Sequence, residues 1–226
     1  MAEALLKRGP GRGRFVTFEG GEGAGKSTQI KMLVSRLESE GVRVVLTREP
    51  GGSPGAEIMR HLVLSGMGKL LGPEAETLLF AAARDDHVRN VILPALNQGS
   101  WVLCDRFFDS TRAYQGSQGK VAPDVLNAMQ RVTIGDLKPD LTIILDVPAD
   151  VGMKRAAARR GTGAPDRFEG EDIKFHQGLR EAFRKIAADD PKRCVLIDAT
   201  AGAETVSHTV WDAVRERLFT AVAAAS

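Results

Sequence analysis

Cysteine is nearly absent from this chain. The two that occur among 226 residues, Cys104 and Cys194, each sit in a short apolar run that reads as a buried strand. They read as small core residues, which excludes a disulfide framework and a thiolate metal centre. Such usage is consistent with a reducing cytoplasm. Histidine is sparse as well. His61, His87, His176 and His208 are scattered without metal-ligand spacing, and surface or helix-packing positions suit them. The net charge is only +2, which offers no general argument for nucleic acid or a membrane surface as partner. No apolar run reaches the length of a membrane span. Residues 1–13 carry Lys7, Arg8 and Arg12 but lack the apolar centre of a signal peptide, so they read as a flexible basic tail. With no internal repeat and no clear linker, residues 14–226 read as one domain.

What the chain does have is a glycine-rich stretch, Gly20-Gly21-Glu22-Gly23-Ala24-Gly25-Lys26-Ser27-Thr28. It fits the phosphate-loop pattern Gly-x-x-x-x-Gly-Lys-Ser/Thr. The flanks fit too. Arg14 to Phe18 alternates like a strand, and Ile30, Leu33, Val34 and Leu37 recur at helical spacing. Four glycines let the backbone approach a polyphosphate closely, and the N–H groups at a helix start favour an anion. In this pattern Lys26 neutralises the β- and γ-phosphates and the Ser27 hydroxyl ligates Mg²⁺.

The rest of the chain alternates strands with helices. Strands are expected at Val42–Thr47, Trp101–Asp105, Leu141–Asp146 and Cys194–Asp198. Helices are expected at Ala56–Leu64, Pro73–Leu96 with a kink near Pro94, Pro123–Val132, Val151–Arg160, Glu171–Ala188 and Glu204–Val222. Arg106 to Lys120 reads as a polar, glycine-containing segment, and Gly161 to Pro165 as a mobile loop. Continuously apolar strands between helices argue for an α/β fold, a parallel sheet covered on both faces, with a short lid at about 155–169.

Phosphoryl transfer requires neutralised charge, an aligned acceptor and a dry site. Asp105 ends a buried strand at the level expected for the metal and could hold it through water, or it could cap the next helix. Arg48, Arg84 and Arg106 could fork onto an acceptor phosphate, or form surface ion pairs. Phe80 and Arg84 share a helix face, where a ring could stack on a base with a donor beside it; core packing is the plainer role for Phe80. Arg155, Arg159 and Arg160 precede the glycine-rich loop and could close over phosphates or form a solvated helix end.

At this point the sequence resembles the thymidylate kinase family. The resemblance rests on Phe18 to Thr28, Thr47-Arg48-Glu49-Pro50-Gly51-Gly52, Leu79 to Arg84, Asp105-Arg106-Phe107, Ser110 to Gly116 and Asp166-Arg167-Phe168-Glu169, in the family's order. It implies the nucleoside-monophosphate-kinase fold, with a five-stranded parallel sheet. It implies ATP-dependent phosphorylation of dTMP to dTDP, a step towards dTTP for DNA synthesis, with Mg²⁺, in a homodimer. An apolar helix face, Leu78-Leu79-Val88-Ile92, could serve the dimer or the core. By the same resemblance, Arg48 and Arg106 hold the acceptor phosphate. Phe80 stacks on thymine, Arg84 donates to its carbonyl, and Ser110 and Thr111 meet the base edge. Tyr114 crowds the 2′ position and Glu22 faces the 3′-hydroxyl. Catalysis falls to Lys26, Asp105, Arg159 and Arg160, with Arg155 on the phosphates or packed on adenine. An acidic loop residue with lid arginines matches the bacterial class. A carboxylate beside phosphates is electrostatically awkward, so the lid is expected to bring Glu22 its balancing charge. Two competing functions are a kinase for another deoxynucleotide or deoxynucleoside, which in the second case has no use for Arg48 and Arg106, and a regulatory NTPase, which needs no acceptor pocket.

Overall fold

The structure, a computed structural model, describes residues 12–119, 121–163 and 167–219. Most of the expected tail (1–11), the middle of the expected lid (164–166), Lys120 and the end of the expected closing helix (220–222) lie outside the described residues. The two tail residues that are described are tied down: Arg12 Nη1 donates to Asp140 Oδ1 at 3.2 Å and the Gly13 N–H to the Leu96 carbonyl at 2.9 Å. That corrects the expectation of flexibility for Arg12 and Gly13.

Five strands form the sheet: β1 (Phe15–Glu19), β2 (Val44–Arg48), β3 (Trp101–Asp105), β4 (Leu141–Asp146) and β5 (Cys194–Asp198). All neighbours are parallel, in the order β2-β3-β1-β4-β5. The helices are α1 (Lys26–Ser39), α2 (Pro54–Leu64), α3 (Pro73–His87), α4 (Leu93–Asn97), α5 (Phe108–Thr111), α6 (Pro123–Thr133), α7 (Ala149–Arg160), α8 (Ile173–Asp189) and α9 (Ala203–Val214). Every residue of β1 is buried, as a central parallel strand with helices on both faces requires. On one face Val16, Phe18, Leu103 and Ile143 meet Ile30, Leu33 and Leu37 of α1 and Val206, Val210 and Val214 of α9. On the other, Phe15, Val102 and Cys104 pack against Val88, Ile92, Leu93 and Leu96, while Ile144 meets Leu179 and Phe183 of α8. Cys104 and Cys194 are buried free thiols, as expected.

Register places the strand ends together. Asp105 lies opposite both Phe18 and Arg48, and Asp146 opposite Asp198. The phosphate loop leaves β1 at this edge, so a ligand there meets the carboxyl ends of several strands.

The interruption expected near Pro94 is present: Val88–Ile92 winds more widely before α4 begins. Proline has no N–H to return to the carbonyl four residues back, so the winding widens ahead of it. The segment after β3 is helical: α5 continues as a wide turn over Arg112–Gln118, because Ala113 and Tyr114 are drawn into the core. Val88 and Ile92 are fully buried, so they belong to the core and not to a subunit face.

Candidate active site

The phosphate loop is packed against α7. Gly23 has φ +66°, and a Cβ there would stand 2.0 Å from the Gly152 carbonyl oxygen. A Cβ on Gly152 would in turn stand 2.4 Å from the Glu22 carbonyl oxygen. The helix can therefore seat the loop only where both residues lack a side chain. α1 starts at Lys26, whose ammonium donates to the carbonyls of Gly20 at 2.9 Å and Gly21 at 2.8 Å. Burial draws the Lys26 ammonium down to about 8; neighbouring Arg106 adds to this, while Glu22, Asp105 and Glu19 oppose it. Beside it, Ser27 Oγ donates to Asp105 Oδ2 at 2.8 Å, which brings the serine and the strand-end aspartate together as the sequence suggests.

Glu22 points inward. Its Oε1 accepts from Arg106 Nη2 at 2.6 Å and from the Tyr114 hydroxyl at 2.9 Å. Burial works against its charge, but Arg106, Lys26 and the Tyr114 hydroxyl prevail, and the carboxyl is lowered to about 2. The charge that balances Glu22 by direct contact is thus Arg106, and of the lid arginines Arg159 adds a smaller share through space. Arg106 adopts φ +71°, the one non-glycine residue with positive φ among those described. Glu19 holds this turn from beneath. Its Oε1 accepts from the Phe107 N–H at 2.8 Å and its Oε2 from Ser110 Oγ at 2.6 Å. Burial, with Asp109 nearby, raises the Glu19 carboxyl to about 8. Ser110 lines the cavity and meets Glu19 and Arg106 Nη1, the latter at 3.3 Å.

A cavity of about 410 Å³ opens over these groups. Every candidate residue lines it except Gly20, Gly21, Arg155 and Arg160. Its far end is walled by Phe80 and Phe168, with ring centres 6.4 Å apart, and by Arg84. Arg84 is buried. Its Nε donates to Glu49 Oε2 at 2.7 Å, and its Nη2 to Thr111 Oγ1 at 3.1 Å and the Phe107 carbonyl at 3.3 Å. Burial disfavours the Glu49 charge, yet Arg84 and His87 together hold its carboxyl below the usual range. Arg48 is half-exposed at the cavity wall and donates to Glu57 Oε1 at 2.9 Å.

The lid arginines take separate directions. Arg155 donates to the Ala199 and Thr200 carbonyls at 2.9 and 3.0 Å, in the loop after β5. Arg159 and Arg160 meet the two oxygens of Glu169 at 2.9 and 2.7 Å, and of this pair Arg159 lines the cavity. Further along, Arg167 donates to Glu76 Oε1 of α3 at 2.7 Å and lies over the Phe168 ring.

A family model described as thymidylate kinase matches residues 18–210. The chain belongs to the thymidylate kinase family. It is 89% identical over 226 residues to the thymidylate kinase of Bradyrhizobium sp. (strain ORS 278), covering all of both chains. It is 73% identical over 218 residues, 96% of each chain, to that of Bradyrhizobium diazoefficiens. The crystal structure of thymidylate kinase from Ehrlichia chaffeensis is similar at a TM-score of 0.73 and 33% identity, over 90% of this chain and 99% of that one.

Sequence reasoning gave no role to several residues at this thymidylate kinase site. Glu19, Glu49 and Glu169 stood inside quoted motifs without a function, and His87 was set aside as a packing residue. All four are buried at or beside the cavity and bind a loop or an arginine. An acidic residue at the end of an apolar strand, as at Glu19, is the one local signal that could have marked them.

Proposed function

We propose how this chain's residues divide the work of ATP-dependent dTMP phosphorylation, the reaction of its family. The chain transfers the γ-phosphoryl group of ATP to dTMP, giving dTDP and ADP. The observation that carries the residue roles is one cavity that joins the phosphate loop to an aromatic wall with a buried arginine, with the Glu22–Arg106 pair between them.

The backbone N–H groups of Gly20 to Thr28 cradle the ATP phosphates, and Lys26 neutralises them. Arg155, clamped to the loop after β5, shapes the adenine end of the donor site. On the acceptor side Arg48 and Arg106 hold the dTMP phosphate with guanidinium forks. Phe80 stacks on thymine, Arg84 donates to a base carbonyl, and Thr111 stands at the base edge. Tyr114 leaves no room for a 2′-hydroxyl. Glu22 orients the 3′-hydroxyl and keeps Arg106 in place. Segment 155–169 acts as the lid of a single kinase domain, and Arg159 and Arg160 stabilise charge on the transferred group. Ser27 Oγ and Asp105 Oδ2 are hard oxygen donors 2.8 Å apart beside the cavity, a set that suits Mg²⁺, with Asp105 holding it through water. When bound there, that ion neutralises phosphate oxygens.

A coupled assay with dTMP, dUMP, dCMP, dGMP and thymidine as acceptors tests this reading. Preference for dTMP is expected; equal use of thymidine would remove the role of Arg48 and Arg106.

A homodimer is supported by apolar side chains left exposed: Ile58 of α2, Leu70 and Leu71 of the following turn and Leu78 of α3 are 65%, 87%, 63% and 54% exposed. Sedimentation of Leu78→Glu against the parent tests it, with a shift towards monomer expected. The unpaired, buried thiols suit a reducing cytoplasm, which fractionation of cells would check. Among the described residues no helix is long and apolar enough to cross a membrane.

A further inference from the structure

His87 is fully buried, three residues beyond Arg84 on α3, and touches no part of the cavity. Its ring joins β2 to the loop that follows it. Nδ1 lies 3.1 Å from Glu49 Oε1, and Nε2 lies 2.7 Å from Thr47 Oγ1 of β2. Glu49 in turn accepts from Arg84 Nε on its other oxygen at 2.7 Å. A carboxylate only accepts hydrogen bonds, so Nδ1 is the donor to Glu49. The result is a buried chain, Thr47–His87–Glu49–Arg84, that ends at the wall of the cavity.

The loop after β2 is built over this chain. Gly52 has φ +90°, and a Cβ on it would lie 2.5 Å from Thr47 Oγ1 and 2.6 Å from His87 Nε2. The loop that begins at Glu49 thus closes directly onto the imidazole. Removing the His87 donor would leave one oxygen of a buried carboxylate unsatisfied, which is costly. Glu49 would then turn towards its remaining partner or towards solvent, and would take the Arg84 guanidinium with it.

We propose that His87 is a positioning residue for acceptor selectivity: through Glu49 it fixes the Arg84 guanidinium where it donates to a pyrimidine carbonyl. This rests on the reading of Arg84 as the base-binding arginine. Guanidinium has donors only, so a rigidly placed Arg84 favours a base with a carbonyl at that point over one with an amino group. His87 thereby affects dTMP against dCMP without touching either.

The test is a mutant cycle on the full-length enzyme, with KM for dTMP, KM for ATP and the dTMP/dCMP ratio of kcat/KM as readouts. His87→Phe keeps a ring and removes both hydrogen-bonding nitrogens. It should raise KM for dTMP and lower the dTMP/dCMP ratio by about tenfold each, with KM for ATP changed by less than about twofold. His87→Asn, whose amide can stand where Nδ1–H does, should recover most of the loss. Combined with Arg84→Met, His87→Phe should add almost nothing, because both changes act through one guanidinium. Should His87→Phe fail to fold, Thr47→Val removes the far end of the chain; it should shift the same readouts in the same direction by about two- to threefold. If Arg84→Met leaves dTMP binding unchanged, the reading of Arg84 falls. If Arg84→Met weakens dTMP but His87→Phe does not, or if the two effects add in full, the proposal for His87 is overturned. Equal losses for dTMP and ATP without rescue by His87→Asn overturn it as well, since they mark a structural role alone. With His87→Phe unfolded, an unshifted Thr47→Val does the same.

Discussion

Tyr114 and Arg106 share a single oxygen of Glu22, the hydroxyl from 2.9 Å and the guanidinium from 2.6 Å. The same guanidinium lies 5.0 Å from the centre of the Tyr114 ring. Three side chains from the phosphate loop, the turn after β3 and the wide turn beyond α5 are therefore locked together. One carboxylate therefore sets the position of the arginine proposed to hold the acceptor phosphate.

Tyr114→Phe separates the two functions of that residue. The ring also packs edge-on against Phe168, Phe175 and Phe183, at 5.0, 6.2 and 6.3 Å, and those contacts survive the change. Only the donor to Glu22 is lost. Urea denaturation should show a destabilisation of about 1 kcal/mol. If the ring crowds the 2′ position as proposed, discrimination against the ribonucleotide should persist; loss of that discrimination would assign it to the hydroxyl.

Glu19 predicts a pH dependence of stability. Its carboxyl is raised from 4.5 to about 8 by burial and by Asp109. Between those values the unfolded chain has lost the proton that the folded chain still holds, so the unfolded state binds fewer protons and stability falls as pH rises. The contribution is fully present below about pH 4.5 and disappears as pH climbs through 8. Glu19→Gln keeps the shape and removes the titration. Denaturation curves between pH 5 and pH 8 should slope less in the variant. An unchanged slope would place the titration elsewhere.

The parts of the site legible in the sequence are the local ones. Lys26 and Ser27 belong to a contiguous motif, and Asp105 closes an apolar strand, so the Ser27–Asp105 pair follows once the sheet is parallel. Strands β3, β4 and β5 were read to their exact ends because buried parallel strands are continuous apolar runs. Pairings between distant segments were not legible. Nothing local links Glu22 to Arg106, which lies 84 positions on, and the expectation turned instead to the arginine-bearing lid. The polar, glycine-containing stretch that includes Arg112–Gln118 carried no signal for a helix, yet it winds helically because Tyr114 is held in an aromatic cluster assembled by the tertiary fold. His87 and Glu49 look like ordinary polar residues until burial forces them into partnership.

Gly23→Ala tests the seat of the phosphate loop. The new Cβ would stand 2.0 Å from the Gly152 carbonyl oxygen on a backbone at φ +66°. Both terms are unfavourable and the neighbour is backbone, which cannot swing aside. A loss of about 3 kcal/mol or more is expected in chemical denaturation. Gly152→Ala meets the same contact from the helix side, at 2.4 Å from the Glu22 carbonyl oxygen, and should behave alike. Parent-like stability in both would mean that the loop does not rest on α7.

The two lid arginines should differ in their effect on turnover. Arg159 and Arg160 share Glu169, but Arg159 lines the cavity and is more exposed, at 63% against 26% for its neighbour. A guanidinium that leaves a carboxylate for the transferred phosphoryl group must exchange one charged partner for another. The one already facing the cavity does so with the smaller movement. Removing a donor that stabilises transition-state charge lowers kcat by about a hundredfold or more, and Arg159→Ala is expected to reach that range. Arg160→Ala should cost less in kcat and show instead as a loosened segment, because it removes the shorter and less exposed bond to Glu169. Steady-state kinetics on the two variants, with hydrogen exchange over 155–169, separates these outcomes. If Arg160→Ala proves the more damaging to kcat, the lid must rotate on closing and exchange the arginines that face the phosphates.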